Sequence, residues 1–125
     1  MMSEIFFKEE SYKIVGICME IHTNLGMGFK EAVYKDALEV EFRAQNIPFV
    51  REKQFKIEYK GVILSHKYYA DFIAFGSIIL EVKSSPIMAN RFVAQTINYL
   101  KASGIKLGII ANFGERSLKY KRVVF

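Results

Sequence analysis

Three charged side chains, Asp71, Glu81 and Lys83, stand in the otherwise apolar stretch "YADFIAFGSIILEVKSS", residues 69–85. Carboxylates on inward-facing strands are destabilising unless something compensates them. If "FGS" is a three-residue turn centred on Gly76, Asp71 falls directly opposite Glu81 on the neighbouring strand. Directly opposed residues share a face, with Cβ atoms roughly 5 Å apart, and alternation puts Lys83 on that face too. Like charges that close repel, and a divalent cation between them reverses the sign. Mg2+ (or Mn2+) suits such a pair, since it takes oxygen ligands and is commonly held by one or two carboxylates plus substrate phosphate. A lysine beside it could orient or help deprotonate a water and stabilise charge on a phosphorane-like transition state. The spacing therefore describes a phosphodiester hydrolysis site. It fits a structural Asp–Lys–Glu cluster at a sheet edge equally well.

The elements that must carry these residues follow from hydrophobic periodicity. Ile14, Ile17, Cys18, Ile21 and Leu25 form one stripe of a helix over 9–25, stopped by "NLGMG". A second helix is expected over 29–46, with Phe29, Val33, Ala37, Leu38, Val40 and Phe42 as its apolar set. The period then switches to two. "FVREKQFKIEYKG" reads as a strand closed by a Lys60-Gly61 turn, "VILSHKYYADFIAF" as a second and "SIILEVK" as a third. Helical spacing returns over 87–103, followed by the strands "IKLGIIANF" and "LKYKRVVF". Three meander strands and a helical crossover to a fourth predict a mixed sheet with helices on its faces, an α/β fold.

A chain of 125 residues fits one domain, taken here as 1–125. Its apolar runs are far shorter than the roughly 20 residues that span a bilayer, so no membrane partner is expected. "MMSEIFFKEE" has no basic segment leading into a long apolar one and is not read as a secretory leader. Cys18 is the single cysteine, which excludes a disulfide framework and makes the cytoplasm the expected compartment. Charge is uneven: residues 1–50 carry 5 Lys/Arg against 8 Asp/Glu, and residues 51–125 carry 13 against 5. A basic half of that kind attracts a polyanion such as nucleic acid, or is simply a solvated surface.

Two more segments bear on the chemistry. "QTINY" sets Gln95 and Tyr99 four residues apart on one helix face, where an amide and a phenol could bond a water, a phosphate or a metal-bound carboxylate. "GFKEAVY" puts Glu31 in the first turn of the second helix, where a carboxylate is also favourable in its own right. His22 lies on a helix stripe and is read as a core histidine. His66, beside Lys67, is read as lying near a phosphate path.

"GFKEAVY" resembles the GxxExxY pattern of a group of small prokaryotic proteins within the PD-(D/E)xK nuclease superfamily. The similarity runs from "KIVGICMEIHTNLGMG" through "IEYKGVIL", "YADF" and "LEVKSS" to "QTINYLKASGIKLGIIANFG". That resemblance implies an αβββαβ core with a mixed central sheet flanked by helices. It implies Asp71 and Glu81 as metal ligands, helped by the Val82 carbonyl, and Lys83 as the catalytic lysine. It makes Glu31 the helix-borne acid supporting the metal, and it matches Gln95 and Tyr99 to a QxxxY element. Ala70 stands where the motif has proline, a residue that shapes the strand and is no ligand. The implied activity is Mg2+-dependent hydrolysis of nucleic acid, DNA in particular. The alternative is a catalytically silent nucleic-acid-binding or protein-interaction module on the same fold.

Overall fold

The computed structural model describes residues 7–125; most of the N-terminal segment read as no secretory leader, residues 1–6, lies outside them. The described residues form helices α1 (Lys8–Leu25), α2 (Glu31–Ala44) and α3 (Asn90–Ser103). They also form strands β1 (Phe49–Phe55), β2 (Glu58–Tyr59), β3 (Val62–Ile63), β4 (Tyr68–Ala74), β5 (Ile78–Lys83), β6 (Leu107–Asn112) and β7 (Lys119–Val124). Five strands make one sheet in the order β1-β4-β5-β6-β7, and β2 and β3 make a separate two-stranded one. Within the main sheet β5 and β6 are parallel and every other neighbouring pair is antiparallel. The parallel pair needs a crossover, which α3 supplies.

Each face of the sheet has its own core. Phe72, Leu80 and Val82 pack with Ile14, Cys18, Tyr34, Leu38 and Phe42, so α1 and α2 cover one face. Ile73, Ile79 and Ile110 pack with Phe92 and Leu100 of α3 on the other. Burying each of these large side chains contributes about 1.5–3 kcal/mol.

Three sequence expectations need correction. The two long strands expected over 49–61 and 62–75 each break, giving β1 and β2, then β3 and β4. The stripe of α2 is Tyr34, Leu38 and Phe42, all fully buried, whereas Phe29, Val33 and Val40 are exposed; three residues at a spacing of four suffice to face the sheet. The third helix begins at Asn90, not 87.

The β4–β5 hairpin has the expected register. Phe72 pairs with Leu80, Ile73 with Ile79 and Ala74 with Ile78. The turn closes through the Ser77 amide donating to the Ala74 carbonyl at 3.1 Å, with Phe75 and Gly76 both left-handed at φ 57° and 66°.

Candidate active site

Pairing in that hairpin stops at Phe72 and Leu80, one residue short of the two carboxylates. The β1–β4 ladder also skips a step, between the Arg51–Phe72 and Lys53–Ala70 pairs, where Glu52 takes φ 57°. Strand alternation fails at the same point. Ala70 belongs to the core under α3 and Phe72 to the core under α2, although they are two residues apart. Asp71 therefore sits in a local opening of the sheet, and the expectation that it simply stands beside Glu81 on one face is corrected accordingly.

The backbone groups freed by this opening are taken up by the carboxylates themselves. The Asp71 amide donates to Glu81 Oε2 at 3.0 Å, and the Val82 amide donates to Asp71 Oδ2 at 2.7 Å. Each carboxylate thus spans to the other strand. Both freed amides find carboxylate acceptors, which is how the breach survives in a sheet. Glu81 is only 3% exposed. Burial first, and the negative charge of Asp71 second, push its carboxyl up to about 8, against the pull of the Asp71 amide, Lys83 and Lys35.

Lys35, on α2, donates to Asp71 Oδ1 at 3.1 Å and is also ion-paired with Glu52. Burial opposes its charge, but the hydrogen bonds and charges of Glu52 and Asp71 outweigh that and raise its pKa. Neither Lys35 nor Glu52 stands out in the sequence. The available signal is helical spacing: Lys35 lies one turn beyond Glu31.

Lys83 ends β5 on the α3 side. Its Nζ donates to Gln95 Oε1 at 2.9 Å and lies 4.9 Å from the centroid of the Phe92 ring. Lys83, Arg91, Phe92 and Gln95 line a cavity of about 330 Å3. Its main chain is fixed as well, the Phe113 amide donating to the Lys83 carbonyl at 2.8 Å. Tyr99 stacks on Tyr68 with ring centroids 4.2 Å apart. Burial, then the charges of Glu81 and Asp71, raise its phenol, so it belongs to the same electrostatic environment.

Glu31 is exposed and lines a different opening, a cleft of about 630 Å3 shared with Gly28, Ser84 and Ser85. Ser84 directly follows Lys83, and its Oγ donates to the Phe29 carbonyl at 2.7 Å. The start of α2 is thereby tied to the exit of β5. The tyrosine of "GFKEAVY" braces the loop that enters α2. Tyr34 donates to the Gly26 carbonyl at 2.6 Å, accepts from the Phe29 amide, and stacks on Phe113. Asn112 is a further residue that the sequence did not flag. Fully buried, it accepts from the Ser85 amide and donates to the Ser85 carbonyl, fixing the chain just past Lys83. Gly114 completes that junction, since a Cβ there would collide with the Ser85 backbone.

Among the described residues no group of three or more His, Cys, Asp or Glu side chains is placed to hold a metal ion. Asp71 and Glu81 nonetheless fit a hard divalent cation, being two adjacent oxygen donors whose mutual repulsion a cation would relieve. His22 is a core residue, its Nε2 bonded to the Glu115 carbonyl at 2.8 Å, and His66 is exposed. No helix among the described residues is long and apolar enough to cross a membrane.

A sequence profile of the PD-(D/E)XK nuclease superfamily matches residues 8–123. No curated protein matches the chain. The crystal structure of SSO0001 superposes with a TM-score of 0.58 at 20% sequence identity, over 74% of this chain and 48% of that one. The chain spans about half the length of that protein, and the likeness is one of fold.

Proposed function

Because the chain belongs to the PD-(D/E)XK nuclease superfamily, we propose that it is a divalent-metal-dependent nuclease of the GxxExxY group, hydrolysing phosphodiester bonds in DNA. The observation that carries this reading is the breach in the β4–β5 pair, where Asp71 and Glu81 cross-brace the strands and Lys83 is held by Gln95. Lys83 is hydrogen-bonded to the Gln95 amide oxygen, while Asp71 takes its ion pair from Lys35.

In this reading Asp71, Glu81 and the Val82 carbonyl would hold Mg2+ or Mn2+. When bound, such a cation polarises phosphate oxygens and makes water a better nucleophile at neutral pH. Lys83 supplies a positive charge at the reacting phosphate and orients the attacking water, while Gln95 fixes its Nζ. Glu31, exposed in the cleft it shares with Ser84, is the acid this reading would place in support of the metal. Tyr99, one turn along α3 from Gln95 and stacked on Tyr68, would hold that helix in position. The cytoplasm is the compartment this reading assigns.

One observation favours a catalytically silent module instead: Lys35 already neutralises Asp71 from within the chain. Lys83→Ala separates the two. For a nuclease, Mg2+-dependent cleavage falls by about 100- to 10,000-fold while salt-sensitive DNA binding persists, because the lost interaction matters in the transition state. Wild-type protein that binds DNA yet cuts no single-stranded, double-stranded or branched substrate with Mg2+ or Mn2+ is the silent module. Absence of binding at low salt defeats both readings.

A further inference from the structure

The connection between β1 and β4 is a hairpin that stands off the body of the protein. Every residue from Lys56 to Lys67 is exposed. Five of them are large and apolar: Ile57, Tyr59, Val62, Ile63 and Leu64, with Tyr59 and Val62 at 59% and 61% exposure. Tyr59 and Val62 pair directly across the hairpin, with Ile57 and Leu64 on the same face by alternation, and an exposed apolar face of this kind marks an interaction site. Two-stranded hairpins are marginally stable alone, so this one depends on its turn and its root.

Both are built. Lys60 and Gly61 have φ 50° and 80°, the left-handed pair of a type I′ turn whose twist matches antiparallel strands. At the root, Phe55 stacks on Tyr68 at 5.1 Å and Tyr68 on Tyr99 at 4.2 Å, and the Tyr68 hydroxyl donates to the Tyr99 carbonyl at 2.8 Å. Tyr99 lies one turn along α3 from Gln95, so the hairpin is anchored on the helix that holds Lys83. Between the Phe55–Tyr68 and Glu58–Ile63 pairs the returning chain has residues 64–67 where the outgoing chain has only 56–57. That surplus works like a bulge and turns the hairpin out of the sheet. Because β4 runs antiparallel to β5, Tyr68 at the start of β4 lies at the same end of the sheet as Lys83, and the charge of Glu81 reaches its phenol. The hairpin therefore rises at the end of the sheet where Lys83 and the Glu31 cleft open.

Its charge selects the partner. Lys56, Lys60 and Lys67 stand against the single acid Glu58, and the Lys60 ammonium lies 5.4 Å from the Tyr59 ring centroid. Cations interleaved with an exposed aromatic ring and aliphatic side chains fit phosphates and the faces of bases or sugars. We propose that residues 56–67 are a nucleic-acid-gripping arm, with the three lysines on backbone phosphates and Tyr59 against a base, which sets how substrate lies across Lys83. This rests on the nuclease reading for the class of ligand and adds the element that binds it.

The test is DNA binding as a function of salt, by fluorescence anisotropy with a labelled duplex and its single strand. Replacing Lys56, Lys60 and Lys67 by alanine should lower the slope of log affinity against log salt by about 2–3. Tyr59→Ala should weaken binding roughly 5- to 100-fold with the slope unchanged. Neither variant touches Gly61 or the aromatic root, so melting temperatures should stay at the wild-type value. Wild-type affinity and slope in both variants, with wild-type protein binding DNA normally, overturns the arm and leaves the nuclease reading intact. A Tyr59→Ala variant that turns a dimer into a monomer in sedimentation, with DNA binding unaltered, makes the hairpin a self-association surface and also overturns the proposal. No DNA binding by the wild type at low salt removes the nuclease reading along with the arm.

Discussion

From Phe72 to Leu80 the β4–β5 hairpin is apolar, paired by main-chain hydrogen bonds and buried on both faces. From Asp71 and Glu81 outward β4 and β5 no longer pair with each other, though each stays paired with its outer neighbour, and carboxylates do the bonding that this ladder has given up. The apolar part holds the strands in register, and the next pair along is freed from regular pairing. The contrast shows why reactive groups sit at this point. A sheet opened in the middle of its core would lose pairing on both sides, whereas one opened just beyond a well-packed turn keeps its register and gains backbone amides to position side chains.

The largest expected effect lies in the closed half. Leu80→Ala removes a fully buried side chain and should lower stability by about 2–5 kcal/mol in chemical denaturation. The response to Mn2+ should survive in whatever fraction remains folded, because the carboxylates are untouched. Loss of metal binding in folded Leu80→Ala protein would show that the two halves are not separable.

Next in size is the pH behaviour of the open half. The Glu81 carboxyl titrates near 4.5 in the unfolded chain and is raised to about 8 in the folded one. Between those values the folded protein binds more protons than the unfolded one, so metal-free stability should fall as pH rises, by up to about 1.4 kcal/mol per pH unit, and level off above about 8. Glu81→Gln keeps an acceptor for the Asp71 amide and removes the charge, so it should flatten this decline. A wild-type profile that is level from pH 5 to 8 would mean that Glu81 carries no such burden.

The sequence disclosed the register of this hairpin because a three-residue turn with a central glycine leaves few ways to close. It also disclosed the mixed sheet and the crossover helix, through the change of period and the apolar run of β6. It did not disclose the breach at Asp71. Alternation is an average over a strand, and "YADFIA" reads the same whether or not one step is twisted out. Lys35, Glu52 and Asn112 stayed hidden because each acts across long sequence distances, where a single sequence has no periodic signal. The apolar set of α2 misleads for a related reason: Val33 and Val40 are apolar but exposed, and Tyr34 is polar-tipped but buried with its hydroxyl satisfied.

The smallest effect concerns the cation already in place. Lys35→Gln retains a donor for Asp71 and removes the positive charge that competes with a metal. Mn2+ affinity by calorimetry should tighten a few-fold. Weaker binding would make Lys35 a supporter of the metal site and not its competitor.

The central claim is that Asp71 and Glu81 together hold a divalent cation across the opened strands. Anomalous diffraction from crystals grown with Mn2+ tests it most directly. The expected result is one peak between the two carboxylates, within about 2.5 Å of an oxygen from each, with Lys35 displaced toward Glu52. No peak there, with Lys35 still bonded to Asp71 at millimolar Mn2+, would contradict it.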